Sequence, residues 1–180
     1  MTKVAVIEGG YSKEKDISIK SAKTVFDNLD RTKFDPIRVL IDEKEWTAYD
    51  SEGRYSIDKN DFSYTKNGYK YNFEYAFIVI HGTPGEDGKI QGYLDMIGVP
   101  YNTSSAAIMA LTFQKFHCNQ FLENFGINVP EAVLIKTEDV IDERQIIDKV
   151  KLPCFVKPTD AGSSFGVSKV KKESELLPSF

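Results

Sequence analysis

A short, fully apolar segment that ends at two glycines constrains the fold of this chain more than any other feature. The segment covers residues 4–7, and Gly9-Gly10 follow it closely. A run this short and apolar is typical of a strand buried on both faces of a parallel sheet, where it opens into a loop. Apolar residues then recur at helical spacing, which predicts a helix over residues 14–29.

The same alternation of strand and helix continues through the first hundred residues. Further strands are predicted at residues 34–41, 75–80 and 99–101, and a short helix at residues 87–97. Residues 45–72 are polar and rich in tyrosine, and their Asn67-Gly68 pair is a strong hairpin signal, so this region is predicted to be antiparallel. Strands that alternate with helices predict an α/β fold with a doubly wound parallel sheet, which we expect in an N-terminal domain over residues 1–102.

A second unit is predicted to begin near residue 103. Its predicted elements are helices over about 105–125 and 138–149, a strand over 129–135, and a hairpin whose strands cover 154–156 and 165–170. So few elements make a thin core. We therefore expect residues 103–180 to be the start of a domain that is incomplete here.

Composition and charge exclude several classes of protein. The 180 residues carry a formal net charge of −4 with a pI near 5.3, and no basic stripe concentrates the lysines, which argues against a nucleic-acid surface. No apolar run approaches the ~20 residues that a membrane-spanning helix needs. The two cysteines, Cys118 and Cys154, have neither disulfide-framework nor metal-site spacing. We therefore expect a reduced, cytoplasmic protein.

The predicted hairpin carries residues suited to binding phosphate. Lys157 ends its first strand, and the following loop, Asp160-Ala161-Gly162-Ser163-Ser164, offers hydroxyls and accessible backbone N–H groups. Such a loop can wrap a polyphosphate while a nearby lysine offsets the negative charge. An ordinary hairpin with a Gly-Ser turn explains the same residues. The loop is not a Walker A motif, because no Gly-Lys-Ser/Thr opens a helix here.

Polar residues also follow two of the predicted parallel strands, at the sheet edge where ligands bind in such folds. Glu14 starts a predicted helix, where a glutamate ordinarily complements the helix dipole. His81 ends an apolar strand, where a histidine can bind a carboxylate or transfer a proton near neutral pH. Lys115 lies within a long predicted helix, and such a lysine usually reaches solvent. If that helix packs against the hairpin, Lys115 and Lys157 could both point at one phosphate chain.

Three motifs together resemble the D-alanine–D-alanine ligases of the ATP-grasp superfamily. They are Gly9-Gly10-x-Ser12-x-Glu14-x-x-x-Ser18-x-x-Ser21, His81-Gly82-x-x-Gly85-Glu86-Asp87-Gly88-x-x-Gln91-Gly92, and Lys157-Pro158 followed by Gly162-Ser163-Ser164-x-Gly166-Val167. The motifs occur in the family's order and span essentially the whole chain. The resemblance implies a Rossmann-like, pre-ATP-grasp sheet in a substrate-binding domain, followed by the beginning of a central ATP-grasp domain.

The resemblance also implies roles for individual residues. Glu14 would hold the amino group of a first D-alanine, His81 would lie at that substrate's carboxylate, and Ser163 would link the hairpin loop to Glu14. The residues that would contact the phosphates of ATP are Lys115, Lys157, Gly162, Ser163 and Ser164. The implied reaction converts one D-alanine to an acyl phosphate with ATP. The amine of a second D-alanine then attacks to give the dipeptide used in peptidoglycan.

The resemblance leaves the metal site outside this chain. Mg²⁺ is an implied cofactor, but the acids near the proposed site, Glu86, Asp87 and Asp160, do not match the family's metal ligands. We expect those ligands beyond residue 180. The chain is accordingly expected to be an N-terminal fragment that is inactive alone and belongs to a homodimer without nucleic-acid or membrane partners.

Other functions are also compatible with these residues. An ATP-grasp ligase with D-lactate or D-serine as acceptor is one alternative, and a non-catalytic binding or dimerisation domain is another. A dinucleotide-binding oxidoreductase is disfavoured, because Gly9-Gly10 lacks the Gly-x-Gly-x-x-Gly spacing that such a turn needs.

Overall fold

Three parallel strands form the part of the first sheet that the sequence predicts most strongly. The computed structural model describes residues 1–162 and 166–180. In it the three strands are β1 (Thr2–Gly9), β2 (Phe34–Ile41) and β7 (Tyr75–Ile78). β1 lies between the other two, with Val6 opposite Arg38 on one side and Phe77 on the other. A central parallel strand is buried on both faces, which explains why β1 is apolar over residues 4–7.

Helices cover both faces of these parallel strands. They are α1 (Lys15–Asn28) and α2 (Lys89–Ile97). On one face Ile7 packs in the same buried cluster as Leu94 of α2. On the other face Val6 packs in a cluster with Ala22 of α1. The predicted α/β class with helices on both sides of a parallel core is therefore confirmed.

Antiparallel strands extend the sheet beyond β2. They are β3 (Trp46–Tyr49), β4 (Arg54–Asp58), β5 (Ser63–Lys66) and β6 (Tyr69–Asn72), and the sheet order is β6-β5-β4-β3-β2-β1-β7. Asn67 and Gly68 join β5 to β6 with φ values of 51° and 80°, as a two-residue hairpin turn favours. The predicted antiparallel region and its hairpin are confirmed. The strand predicted at 99–101 is reduced to one parallel bridge between Tyr101 and Ala76.

The remaining elements are short. They are α3 (Ala106–Phe113), α4 (Lys115–Glu123), α5 (Glu143–Val150), the antiparallel pair β8 (Cys154–Val156) and β9 (Ser168–Val170), and the 3₁₀ helices Glu173–Glu175 and Leu177–Ser179. The chain divides into two compact units, Met1–Ala110 and Leu111–Phe180. Ile146, Val170 and Leu176 are the buried centre of the second unit. No helix in the described part of the chain is both long and apolar enough to cross a membrane.

Two predictions for the second half of the chain are wrong. The single helix predicted over about 105–125 is interrupted at Gln114, because the backbone N–H of Lys115 donates to the carbonyl oxygen of Thr159 at 2.9 Å. Residues 129–135 form no strand among the described residues. β8 pairs with β9 in a sheet of two strands. Apolar, β-branched sequence favours a strand only where a neighbouring strand supplies hydrogen bonds.

Candidate functional site

Two loops of the first unit meet at the edge of the sheet where β1 and β7 end. The Ser12 hydroxyl donates to the carbonyl oxygen of His81 at 2.7 Å and accepts the backbone N–H of Glu14 at 3.1 Å. The backbone N–H of Tyr11 donates to the carbonyl oxygen of Thr83 at 2.9 Å. The structure therefore brings Glu14 and His81, which are far apart in sequence, to one edge of the sheet.

Glu14 and His81 both carry polar groups that are withdrawn from solvent. Glu14 is 8% exposed and immediately precedes the first residue of α1. The Nε2 atom of His81 is buried and has no hydrogen-bond partner in the part of the chain that the structure describes. An unpaired buried polar atom costs ~1–3 kcal/mol. That nitrogen is therefore suited to form a hydrogen bond with a polar group of a ligand.

Gly82 allows the two loops to approach each other. Its φ is +74°, and a Cβ atom added there would lie 2.8 Å from Ser12 Cβ and 2.9 Å from Ser12 Oγ. Both the backbone conformation and the lack of space disfavour a larger residue. The N–H of Gly82 donates to Glu86 Oε2 at 2.7 Å. The carboxylate of Glu86 thus holds the loop that carries His81.

The neighbouring acid, Asp87, also stabilises this loop. Its Oδ2 atom accepts from the Thr83 hydroxyl at 2.5 Å and lies 2.6 Å from Lys89 Nζ. Burial opposes ionisation of Asp87, but the hydrogen bonds from Lys89 and Thr83 outweigh it and lower the pKa of the carboxyl below its ordinary value. Glu86 and Asp87 therefore both have loop-stabilising roles.

The described residues do not fit a site for Mg²⁺. Over residues 1–162 and 166–180, no group of three or more His, Cys, Asp or Glu side chains is placed to hold a metal ion. Mg²⁺ prefers several oxygen ligands in near-octahedral geometry. No chemical step is therefore assigned to a metal held by these residues.

In the second unit, the loop of the hairpin is anchored to the start of α4. The Lys115 ammonium group donates to the carbonyl oxygens of Ala161 and, at 3.4 Å, of Thr159. The helix that carries Lys115 therefore contacts the hairpin, as the proposed sharing of one phosphate chain by Lys115 and Lys157 requires. A positive charge consequently lies beside the loop that leads to Gly162, which is half-buried. Ser163 and Ser164, the other predicted phosphate ligands, lie outside the described residues.

A cavity of about 370 Å³ lies beside this loop, within the second unit. Lys115 and Lys157 line it together with the apolar side chains of Phe116, Val156 and Leu176. Asn119, Glu131 and Thr159 also line this cavity. Two cations beside apolar side chains suit a ligand that has both an anionic and an apolar part. From the sequence, Lys115 and Lys157 were already candidates for pointing at one phosphate chain. The apolar lining residues come from separate segments and carried no signal of their own.

Ser18, to which the sequence alone gave no role, lies one helical turn into α1. Ser18 is 0% exposed, accepts the N–H of Gly9 at 2.9 Å and donates to the carbonyl oxygen of Val79 at 2.8 Å. It therefore joins the ends of β1 and β7 directly. The spacing of Ser12, Glu14 and Ser18 was visible in the sequence. Which atoms these hydroxyls reach depends on how α1 packs on the sheet.

Comparisons with known proteins agree on one family of ligases. The family model for the D-ala D-ala ligase N-terminus matches residues 3–104, and the model for the D-ala D-ala ligase C-terminus matches residues 121–180. The chain is similar to the D-alanine–D-alanine ligase of Azobacteroides pseudotrichonymphae, with 44% identity over 98% of this chain and 55% of that protein. It spans about half the length of the curated relatives that it matches.

Solved structures of similar fold include ligases that are named for different acceptors. D-alanyl-alanine synthetase A from Vibrio cholerae superposes with a TM-score of 0.85 at 29% identity, over 99% of this chain and 54% of that chain. VanG D-Ala:D-Ser ligase from Enterococcus faecalis gives 0.82 at 30% identity, over 99% and 58%. The D-alanine–D-alanine ligase from Bacillus anthracis complexed with ATP gives 0.74 at 26% identity, over 99% and 53%.

Proposed function

This chain belongs to the D-alanine–D-alanine ligase family, and we propose that the whole protein joins two D-alanines with ATP to supply peptidoglycan precursors. One observation carries this proposal. The buried Nε2 of His81, which has no hydrogen-bond partner among residues 1–162 and 166–180, lies on the loop that Ser12 joins to the buried Glu14. An amino acid presents a carboxylate and an ammonium group. An imidazole and a carboxylate on one sheet edge are suited to bind these two groups.

In the proposed reaction, a carboxylate oxygen of the first D-alanine attacks the γ-phosphorus of ATP, and ADP leaves. The amine of the second D-alanine then attacks the acyl carbon of the acyl phosphate. Inorganic phosphate leaves, the amine loses a proton, and the peptide bond is complete. Glu14 holds the ammonium group of the first D-alanine, and His81 lies at its carboxylate. Both substrate groups are thereby oriented before phosphoryl transfer.

The proposed phosphate site is in the second unit. Lys115 and Lys157 line one cavity there, and their charges offset the negative charge of the transferred phosphoryl group. Gly162 contributes an accessible backbone N–H. Ser163 and Ser164 are proposed as further phosphate ligands, and Ser163 also in a catalytic role, on the basis of the family resemblance alone.

Several further features of the whole protein are proposed from the resemblance. They are Mg²⁺ bound by ligands outside residues 1–180, a homodimer without nucleic-acid or membrane partners, a cytoplasmic location, and domain limits at 1–102 and 103–180. Because the chain spans about half the length of its relatives, we also propose that residues 1–180 do not ligate D-alanine alone. Dipeptide formed by the purified 180-residue chain would contradict this.

The test is D-alanine-dependent release of phosphate from ATP and Mg²⁺ by the full-length protein that contains this chain. D-alanine should give phosphate and dipeptide, whereas L-alanine should give neither. Glu14→Gln and His81→Gln should each lower kcat/KM for D-alanine by roughly 100-fold, because each removes a charged or buried hydrogen-bonding partner of the substrate. Equal turnover of D- and L-alanine, or unaffected variants, would refute the proposal.

A second candidate function differs in the acceptor. The similarity to the VanG D-Ala:D-Ser ligase is as strong in identity as that to the D-alanine ligases of solved structure. Competition between D-alanine, D-serine and D-lactate as second substrate, with the first D-alanine held constant, distinguishes the candidates. Predominant D-alanyl-D-serine or D-alanyl-D-lactate would favour the alternative.

A further inference from the structure

We propose that Ser12 is a positioning residue, which sets the separation of Glu14 and His81 for the first amino-acid substrate. This inference rests on the proposed function. The ammonium and carboxylate groups of an α-amino acid are held at a fixed separation by one carbon atom. A site that binds both groups must hold its two partners at a matching separation. Glu14 and His81 stand on different loops, so a specific contact must set their relative position.

The Ser12 hydroxyl provides that contact with both of its hydrogen-bonding functions. A hydroxyl has one donor and two acceptor sites. Ser12 uses its donor on the carbonyl oxygen of His81 at 2.7 Å and one acceptor site on the N–H of Glu14 at 3.1 Å. Both partners are backbone atoms of the two site residues themselves. The bond to Glu14 is local to one loop, and the bond to His81 crosses to the other, so a shift of one loop against the other breaks the bond to His81.

The backbone at Gly82 supports the same assignment independently. A Cβ atom at this position would lie 2.8 Å from Ser12 Cβ, so the Ser12 side chain packs directly on the backbone that follows His81. The hydroxyl cannot rotate away from His81 without losing its bond to that loop. Packing and hydrogen bonding therefore hold the same side chain in one position.

Ser18 is a useful comparison, because it distinguishes a serine that positions site residues from one that stabilises the fold. Both serines link α1 or its preceding loop to the chain that follows β7. Ser18 is completely buried and binds the backbone at Gly9 and Val79, below the site, whereas Ser12 is half-buried and binds the site residues. Loss of the Ser18 hydroxyl should chiefly reduce stability. Loss of the Ser12 hydroxyl should chiefly reduce affinity for the first D-alanine.

The test compares Ser12→Ala with wild type in the full-length protein, with the exposed Ser56→Ala as the control. Ser12→Ala should raise KM for the first D-alanine about 10-fold, because the loss of both hydrogen bonds lets Glu14 and His81 shift from the separation that the substrate requires. KM for ATP and the melting temperature should stay close to those of wild type. Ser56→Ala should change none of these quantities. A KM for the first D-alanine unchanged in Ser12→Ala, with wild type active, overturns the inference and leaves the proposed function standing.

A second measurement requires no substrate. In the 180-residue chain, the amide of Glu14 should exchange slowly with deuterium in wild type and at least several-fold faster in Ser12→Ala, because its acceptor is gone. Equal exchange rates in the two proteins overturn the inference. A wild-type full-length protein with no D-alanine-dependent turnover overturns the proposed function instead, and with it the substrate named here.

Discussion

Arg38 donates two N–H groups to one oxygen of the Glu8 carboxylate, with Nε–Oε2 and Nη2–Oε2 distances of 2.8 Å and 2.5 Å. Glu8 is 1% exposed, and the hydroxyl of Tyr49 donates to its other oxygen. Arg38 also donates to the carbonyl oxygen of Ile19 in α1 at 3.1 Å. These contacts connect three neighbouring strands with the helix that Glu14 precedes. The cluster therefore stabilises the part of the fold that supports the candidate site.

Glu8→Gln should lower the free energy of unfolding by ~2–4 kcal/mol, because Arg38 would keep a largely buried charge without its carboxylate partner. Urea unfolding of the 180-residue chain measures the change. Asp27→Asn is a matched control, since it breaks the Lys23–Asp27 pair on α1, whose side chains are 65% and 47% exposed. An exposed pair of this kind contributes ~1 kcal/mol or less. Equal effects of the two substitutions would contradict the structural role of Glu8.

Tyr49 should make the protein less stable in alkaline solution. Burial raises the pKa of Tyr49 above its ordinary value, and the hydrogen bond and negative charge of Glu8 add to the effect. A pKa raised on folding stabilises the folded state below the unfolded pKa, and that contribution is lost as the pH rises through the folded pKa. The free energy of unfolding should therefore fall above about pH 10, the pKa of an unperturbed tyrosine.

Tyr49→Phe should reduce this alkaline fall in stability, because phenylalanine has no proton to lose. Urea unfolding at about pH 8 and about pH 10.5, on either side of the ordinary tyrosine pKa, measures the fall. Tyr69→Phe is the control, since Tyr69 is 71% exposed, and it should retain the wild-type pH dependence. A fall as steep in Tyr49→Phe as in wild type would exclude Tyr49 as its source.

Gly82→Ala should weaken binding of the first D-alanine beyond the effect of backbone strain. Gly82 and Gly98 have nearly equal φ values of +74° and +72°, but an added Cβ at Gly98 meets nothing within 4 Å. Both substitutions should cost ~1–2 kcal/mol of stability from the left-handed backbone. Gly82→Ala alone should also raise KM for the first D-alanine, by about 10-fold or more, because it separates Ser12 from His81. Equal KM changes in the two full-length variants would refute this explanation.

Lys115→Met should weaken ATP binding by the full-length protein about 10- to 100-fold, the effect of losing a hydrogen bond to a charged group. It should also loosen the loop that Lys115 holds through Thr159 and Ala161. Titration calorimetry with ATP measures the affinity. Lys149→Met, at an exposed position on α5, is the control and should bind ATP as wild type does. Unchanged affinity in Lys115→Met would remove Lys115 from the proposed phosphate site.

The sequence by itself determined the α/β class of the first unit, because buried strands and amphipathic helices carry different hydrophobic periods. The apolar residues 4–7 predicted a buried parallel strand, and Asn67-Gly68 predicted the hairpin that the structure contains. Glu14 and His81 were predictable at one edge as well. Both follow parallel strands, and the carboxyl ends of such strands meet at the same side of a sheet.

Only the tertiary structure decided which atoms join these segments. Ser12 bonds to a carbonyl 69 positions away, and the backbone of Lys115 bonds to Thr159 and interrupts a helix that the local pattern favours. The buried Glu8 likewise finds its partner on a neighbouring strand. Hydrophobic periodicity reports which face of an element is buried, but not which distant residue meets it there. These contacts were settled by packing between elements, because a hydrogen bond depends on distances and directions that exist only in the folded chain.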